Sequence, residues 1–185
     1  MGEIIGLTGS SGKGKTFACL ELAGRLIDQG VVVKGFCSPP VFEDSIKTAI
    51  DVLSLPSFER RRLGVLGAIE DYTLVRKWSM DPATFEWINR MSGRFSNTDV
   101  LMFDEFGPLE VEQGQGWHKV LDVLKTGKYH LAVITFRPDY QDFFKREHPG
   151  IHLINLDDHD SPDVFYTEVE DRLRQARVLK AQSNG

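Results

Sequence analysis

LTGSSGKGKT, residues Leu7–Thr16, is the stretch that decides the fold of this chain. Its glycines, serines and lysines are poor core residues, and from Gly9 to Thr16 they match the phosphate-loop pattern G-x-x-x-x-G-K-[ST]. The apolar run EIIGLT before the stretch predicts a buried strand, and TFACLELAGRLID after it carries apolar residues at helical spacing until Gly30. A loop between a buried strand and a helix is the setting in which this pattern binds nucleotide phosphates.

The loop predicts a set of phosphate contacts. Glycines allow successive backbone N–H groups to turn toward the phosphates, and the helix N-terminus adds the positive end of its dipole. Lys15 is placed to reach the β- and γ-phosphates, and the Thr16 hydroxyl is placed to bind Mg²⁺. The residues expected to contact the nucleotide are Gly9, Ser10, Ser11, Gly12, Lys13, Gly14, Lys15, Thr16 and Phe17.

A second motif, LMFDEFGPLE (Leu101–Glu110), ends an apolar strand in two carboxylates. Ligands collect at the carboxyl ends of strands in open α/β sheets, so we expect Asp104 and Glu105 at the nucleotide site. Asp104 is suited to hold Mg²⁺, either as a direct ligand or from the second shell of the ion. Glu105 can orient and deprotonate a water for attack on the γ-phosphate, a role that a purely phosphate-transferring kinase does not need. The pair favours hydrolysis, with Glu105 and Lys15 as catalytic residues.

This acidic segment resembles that of the small nucleoside-triphosphatases of the cancer-related, or thermophilic, type. Their acidic strand continues as Asp-Glu-Ile-Gly-Pro-Met-Glu-Leu or close variants, and Asp104–Glu110 reads DEFGPLE. Bacterial members are also similar at GQGW (Gly114–Trp117), and around GFCSPPVFED (Gly35–Asp44) and ERRRL (Glu59–Leu63). The resemblance spans most of the chain up to about residue 140 and is dense only at the two nucleotide motifs.

The resemblance implies a RecA-like phosphate-loop fold and Mg²⁺-dependent hydrolysis of ATP, GTP and other triphosphates to diphosphate and phosphate, with little base preference. The chain departs from the family at Phe106, where Ile or Val is usual, and at Ser10–Ser11 in the variable part of the loop. Neither departure touches the chemistry directly. The positions that match the family's motifs hold Lys15, Thr16, Asp104 and Glu105.

Two further candidates follow the predicted strand HLAVIT. In folds of this type that strand commonly lies beside the phosphate-loop strand, which would point Thr135 toward the γ-phosphate as a sensor. Arg137 follows and could neutralise charge in the transition state. The alternative is that Thr135 caps a helix and Arg137 pairs with Asp139 or Asp142. Spacing alone does not decide between these readings.

Base recognition has a weak signature. Guanine-specific GTPases commonly read the base with Asn-Lys-x-Asp after a late strand, and the nearest segment here is NLDD, Asn155–Asp158, in which leucine replaces the lysine. Asn155 is interpreted as a strand-end residue near the base. Specific guanine recognition is not expected.

The pattern of elements predicts an α/β fold: a RecA-like three-layer sandwich with a predominantly parallel sheet, formed by one domain over residues 1–185. Residues 37–80 read as short alternating segments between turn signals, which predicts an antiparallel extension at one edge of the sheet. Further helices are predicted in DPATFEWINRMSGRF, HKVLDVLKTGK and PDYQDFFKRE, and one from about SPDVF onward. Residues 181–185 are expected to form a frayed tail.

Composition limits the partners. The net charge of −5 and pI near 5.5 oppose a broad phosphate-backbone interface, so nucleic acid is not an expected partner. No apolar run approaches the ~20 residues of a membrane span, and the N-terminus carries no signal peptide, which favours the cytoplasm. Cys19 and Cys37 lack paired spacing and are expected to be buried. The scattered histidines, His148 and His152 included, predict no metal site formed by protein alone.

Two other functions stay open. One is a small-molecule kinase whose acceptor binds to residues 37–80 and to Arg60, Arg61 and Arg62; ERRRL is otherwise a solvated hairpin edge. The other is a nucleotide-gated binding module that meets a partner through ERRRL or through EQGQGW, Glu112–Trp117. EQGQGW itself reads either as a flexible loop over the site with glycine hinges, or as a loop ending in a core tryptophan at Trp117.

Overall fold

One mixed sheet of ten strands organises the protein in the computed structural model, which describes residues 2–183, with side chains described through residue 177. The strands are β1 (Glu3–Thr8), β2 (Val33–Cys37), β3 (Pro40–Glu43), β4 (Ile46–Leu55), β5 (Arg60–Leu66), β6 (Thr73–Val75), β7 (Trp78–Met80), β8 (Thr98–Phe106), β9 (Tyr129–Phe136) and β10 (His152–Asn155). The helices are α1 (Lys15–Asp28), α2 (Pro82–Ser92), α3 (Pro108–Val111), α4 (His118–Thr126), α5 (Gln141–Glu147) and α6 (Asp163–Ser183).

Five strands form the parallel half of the sheet, in the order β10-β1-β9-β8-β2. The strand that ends at the acidic pair, β8, is therefore separated from the phosphate-loop strand β1 by β9. The expectation that the strand carrying Thr135 lies beside the phosphate-loop strand is confirmed. Because parallel strands end at one edge, this order brings the loop after β1, the acids of β8 and Thr135 of β9 together.

The antiparallel half continues the same sheet beyond β2 through β4, β5, β7 and β6, with β3 paired to β4. The antiparallel extension expected from residues 37–80 is confirmed. Within it, the ERRRL segment lies on β5, and Arg60 and Arg62 both form ion pairs with the buried carboxylate of Asp51 on β4. Arg61 lies over the ring of Trp87. The three arginines therefore have structural partners.

Helices cover both faces of the sheet and bury two apolar clusters. Alternation along a strand sends neighbouring side chains to opposite faces, so Ile5 of β1 packs with α1 and α6 while Ile4 packs on the side of α2, α4 and α5. Cys19 and Cys37 are buried on the α1 side, as expected. The predicted three-layer α/β fold is confirmed.

The last helix is longer than the sequence predicts. α6 begins at Asp163, as the SPDVF segment indicates, and continues through Ser183. The frayed tail expected over residues 181–185 stays a prediction, and residues 184–185 lie outside the described part. Among the described helices, α6 included, none is both long and apolar enough to cross a membrane.

Candidate active site

The phosphate loop adopts a conformation that only glycine accommodates readily. Gly9, Gly12 and Gly14 have φ values of 144°, 86° and 87°, and a Cβ at Gly12 or Gly14 would meet only open space. The requirement at these positions is therefore for backbone conformation. Gly14 is also the N-cap of α1, and within the described residues no side chain caps that helix. The first N–H groups of α1 stay available for an anion.

Lys15 lies across the loop. Its Nζ donates hydrogen bonds to the carbonyl oxygens of Gly9 at 2.7 Å and Ser10 at 3.1 Å, and the residue is buried. These bonds hold the ammonium group against the loop. There it can replace its hydrogen bonds to carbonyl oxygens with bonds to phosphate oxygens.

A residue from the far end of the chain fastens the loop. Both the N–H and the hydroxyl of Ser10 donate to the Asp157 carboxylate at 2.8 Å, and Lys13 lies 3.9 Å from the same group. These hydrogen bonds lower the pKa of Asp157. Asn155 accepts the N–H of Asp157 and so shapes the turn that presents this carboxylate, and its place near the base stays a prediction. Sequence analysis missed Asp157 because its partner is 147 positions away.

Asp104 is completely buried at the end of β8 and is held by several donors. Thr135 Oγ1 donates to Oδ1 at 2.6 Å, and the Ser38 N–H donates to Oδ2 at 3.1 Å. Burial raises the pKa of Asp104 and the Glu105 charge adds to this, while hydrogen bonds from Thr135, Ser38 and Thr16 oppose the rise. The carboxylate is thus oriented and within reach of the Thr16 hydroxyl.

Glu105 follows Asp104 through a cis peptide but lies in a different environment. Its side chain is 36% exposed, and Oε1 lies 3.4 Å from Nε of Arg137. Arg137 therefore pairs with Glu105, and not with Asp139 or Asp142 as the structural alternative supposed. The arrangement puts one partly exposed cation and one partly exposed carboxylate side by side at the strand ends.

The Thr135 side chain is fully buried, and its hydroxyl donates to Asp104 instead of capping a helix. Its contact with the γ-phosphate stays a prediction. The residue is a support for the Asp104 carboxylate.

The EQGQGW loop is fastened where it rejoins the core. Glu110, the last residue of the GPLE segment, accepts the N–H groups of Gly107 at 3.0 Å and Trp117 at 3.2 Å. The Asn89 amide of α2 donates to the carbonyl of Gly116 at 2.8 Å. Trp117 is buried in the core, in agreement with the alternative reading of this residue. The loop lacks the free glycine hinge that a lid would need at this end.

A cavity of about 130 Å³ adjoins Glu105. Its lining comes mainly from the antiparallel extension, α2 and the GPLE segment, and includes Lys47 and Arg137. Burial lowers the pKa of Lys47, whereas the nearby Glu105 carboxylate raises it and Arg137 lowers it further. Lys47 is a charged residue of this site that the sequence did not indicate, because it lies on β4 in the middle of the extension.

A second cleft of about 250 Å³ lies beside the loop on the side of α1 and α6. Phe17, predicted as a nucleotide contact, lines it and is 63% exposed, and His159 and Tyr166 line other parts of it. An exposed aromatic ring next to a phosphate loop offers a surface on which a base can stack.

The oxygen donors at the loop fit a magnesium ion. Mg²⁺ is held in nucleotide sites by one or two protein oxygens together with phosphate oxygens and water. The Thr16 hydroxyl and the Asp104 carboxylate are such donors, and they are already close enough for Thr16 to lower the pKa of Asp104 through a hydrogen bond.

Comparisons with known proteins agree with this geometry. A family model described as NTPase matches residues 4–166. The nucleoside-triphosphatase THEP1 of Hyperthermus butylicus is 29% identical over 139 residues, 72% of this chain and 72% of that protein. THEP1 of Caldivirga maquilingensis is 23% identical over 127 residues, 69% and 72% of the two chains.

Two solved structures share the fold. The solution structure of a human cancer-related nucleoside triphosphatase has a TM-score of 0.68 at 20% identity and covers 98% of this chain and 97% of its own. The crystal structure of THEP1 from Aquifex aeolicus has a TM-score of 0.64 at 20% identity, with 90% and 96% coverage.

Proposed function

The chain belongs to the NTPase family, and from this membership we propose that it hydrolyses ATP, GTP and other nucleoside triphosphates to diphosphate and phosphate, with Mg²⁺ and with little base selectivity. The observation that carries the proposal is the contrast between adjacent acids at the end of β8. Asp104 is buried and accepts hydrogen bonds from Thr135 and Ser38, whereas the Glu105 side chain is 36% exposed and open to a reacting water.

In this mechanism Glu105 is the general base. It takes a proton from a water molecule as the water oxygen forms a bond to the γ-phosphorus and the bond from that phosphorus to the β-phosphate oxygen breaks. Lys15 contacts the β- and γ-phosphates, and loop N–H groups bind the remaining oxygens. Arg137, which pairs with Glu105, would neutralise charge on the transferring group.

Magnesium and the base have proposed positions as well. Thr16 and Asp104 would hold Mg²⁺, which neutralises charge on the β- and γ-phosphates when bound. The exposed ring of Phe17 supports stacking of the base, and stacking tolerates every base because each has a π face. This supports turnover of several nucleotides.

Phosphate release from ATP, GTP, CTP and UTP tests the proposal, with the wild type beside Glu105→Gln. Removal of a general base costs about 10²–10⁴ in rate, so we expect Glu105→Gln to lower kcat by at least about 100-fold while nucleotide binding stays within about threefold. Lys15→Ala should weaken both binding and turnover. Chelation with EDTA should stop release in every case.

Glu86→Gln is the matched control because Glu86 is an exposed glutamate of α2. It should keep wild-type turnover. Near-normal turnover by Glu105→Gln would disprove its role as the base. Tight nucleotide binding with no release by the wild type would favour the nucleotide-gated module over a hydrolase.

A further inference from the structure

The cavity beside Glu105 is more apolar than a hydrolytic site requires. Its volume is about 130 Å³, and Glu105 is one of the residues that line it. The walls come from the antiparallel extension, from α2 and from the segment after β8. Among the apolar side chains that line it are Ile50, Val75, Trp78, Met80, Phe85 and Trp117.

A water molecule that attacks the γ-phosphate needs polar neighbours and space for one water. It does not need a larger apolar pocket. Pockets with apolar walls and a few converging polar groups are instead typical of small-molecule sites. The polar residues that line the cavity are Ser38, Lys47, Glu105, Glu110 and Arg137, and Glu105 also belongs to the proposed site of phosphoryl transfer.

We propose that this cavity binds the apolar body of a small alcohol, whose hydroxyl group takes the place of water as the acceptor of the γ-phosphoryl group. The inference rests on the proposed nucleotide site at the phosphate loop. It adds phosphoryl transfer to an alcohol as a second activity of the same catalytic groups.

The transfer step uses groups already present. The hydroxyl oxygen forms a bond to the γ-phosphorus, the bond from that phosphorus to the β-phosphate oxygen breaks, and the hydroxyl proton passes to the Glu105 carboxylate. The products are the alcohol's phosphate monoester and the nucleoside diphosphate. The new monoester carries negative charge. Lys47 and Arg137, which line the cavity, supply the opposing positive charge.

The geometry also selects the size of the alcohol. A cavity of about 150 Å³ engineered into another protein admits one benzene ring, so this cavity suits one six-membered ring or a short branched chain. The ERRRL arginines are not part of the acceptor site: Arg60 and Arg62 neutralise Asp51, and among the described residues the cavity lining includes none of the three.

Benzyl alcohol is a suitable probe because it joins one ring to a primary hydroxyl, and methanol is its control because it offers the hydroxyl alone. Wild-type protein is incubated with MgATP and an equal concentration of each alcohol in turn, and phosphorus NMR separates inorganic phosphate, benzyl phosphate and methyl phosphate. We expect at least about tenfold more benzyl phosphate than methyl phosphate, because a pocket that holds the ring raises the local concentration of its hydroxyl group.

Equal yields of the two esters, or no benzyl phosphate at all, would overturn the acceptor site. Release of inorganic phosphate without alcohol is read in the same samples and tests the nucleotide site separately. Failure of the two proposals is therefore distinguishable.

Two variants on β6 locate the acceptor. Val75→Phe places a ring inside the cavity and should reduce benzyl phosphate at least about tenfold while phosphate release without alcohol stays within about twofold. Leu74→Phe adds the same ring to the adjacent residue, which is 58% exposed and points to the other face of the strand, and should leave both products unchanged. Full benzyl phosphate formation by a folded Val75→Phe would place the acceptor elsewhere, and if that variant does not fold, the wild-type product ratio decides.

Discussion

Replacing Glu110 with glutamine should change how the stability of this protein depends on pH. The residue is 5% exposed and its carboxyl group lies between the N–H groups of Gly107 and Trp117. Burial raises the pKa of Glu110 from an ordinary 4.5 to about 7, the nearby Glu105 charge contributes in the same direction, and the two backbone donors only partly oppose the rise. Glutamine keeps the shape of the side chain and cannot ionise.

The magnitude follows from that pKa. Between pH 4.5 and about 7 the native carboxyl group keeps a proton that the unfolded chain has released, so the native state binds more protons and unfolding becomes easier as pH rises. Each pH unit in this window lowers the free energy of unfolding by about 1.4 kcal/mol. The stabilisation is complete below pH 4.5, is lost as pH rises through about 7, and totals about 3 kcal/mol.

Urea unfolding at pH 5 and pH 8 measures the effect on wild type and Glu110→Gln. In the glutamine variant the side-chain NH₂ group faces one of the two backbone N–H donors, which costs free energy. That cost is the same at both pH values and cancels in the comparison. The free energy of unfolding of Glu110→Gln relative to wild type should therefore rise by roughly 2–3 kcal/mol from pH 5 to pH 8. Glu86→Gln on the surface should show no such rise. A parallel pH dependence of Glu110→Gln and wild type would refute the buried, proton-binding carboxyl group.

Four further substitutions, at Thr135, Gly35 and Gly24, test the buried acid, the sheet and helix α1. Thr135→Val removes the hydroxyl donor of Asp104 and should lower the free energy of unfolding by about 1.5–3 kcal/mol, whereas Thr135→Ser should recover most of it. Gly35→Ala should cost at least about 2 kcal/mol in urea unfolding, because φ is +140° and the added Cβ would overlap the Met102 carbonyl oxygen. Gly24→Ala in α1 meets no neighbour and should stabilise by about 0.5–1 kcal/mol.

The parts of the site that sequence analysis predicted are those set by local spacing. A strand, the Leu7–Thr16 loop and a helix follow one another without interruption, and the loop's glycines are required by a conformation that can be inferred from the pattern itself. Likewise, the apolar run before Asp104 places the two acids at a strand end. Alternation along the strands then predicts which residues reach each face.

The parts it missed depend on contacts between distant segments. Asp157 fastens Ser10, and Lys47 reaches the neighbourhood of Glu105, only because the sheet order brings their elements together. The GPLE segment was recognised as a family marker, but the role of Glu110 was not. Glu110 accepts two backbone N–H groups, and the second of them comes from Trp117, which the fold brings next to it. The spacing of residues in the sequence does not predict that contact.

The different environments of Asp104 and Glu105 explain why two identical functional groups next to each other need not share a role. The strand directs Asp104 inward, where Thr135, Ser38 and Thr16 fix its oxygens, and a fixed oxygen suits a metal ion. Glu105 lines the apolar cavity and is 36% exposed, and it pairs with Arg137, whose side chain is 42% exposed. A base must reach whatever nucleophile enters, so the accessible carboxylate is the one suited to proton transfer. The same position lets one base serve water from the solvent side and an alcohol from the cavity side.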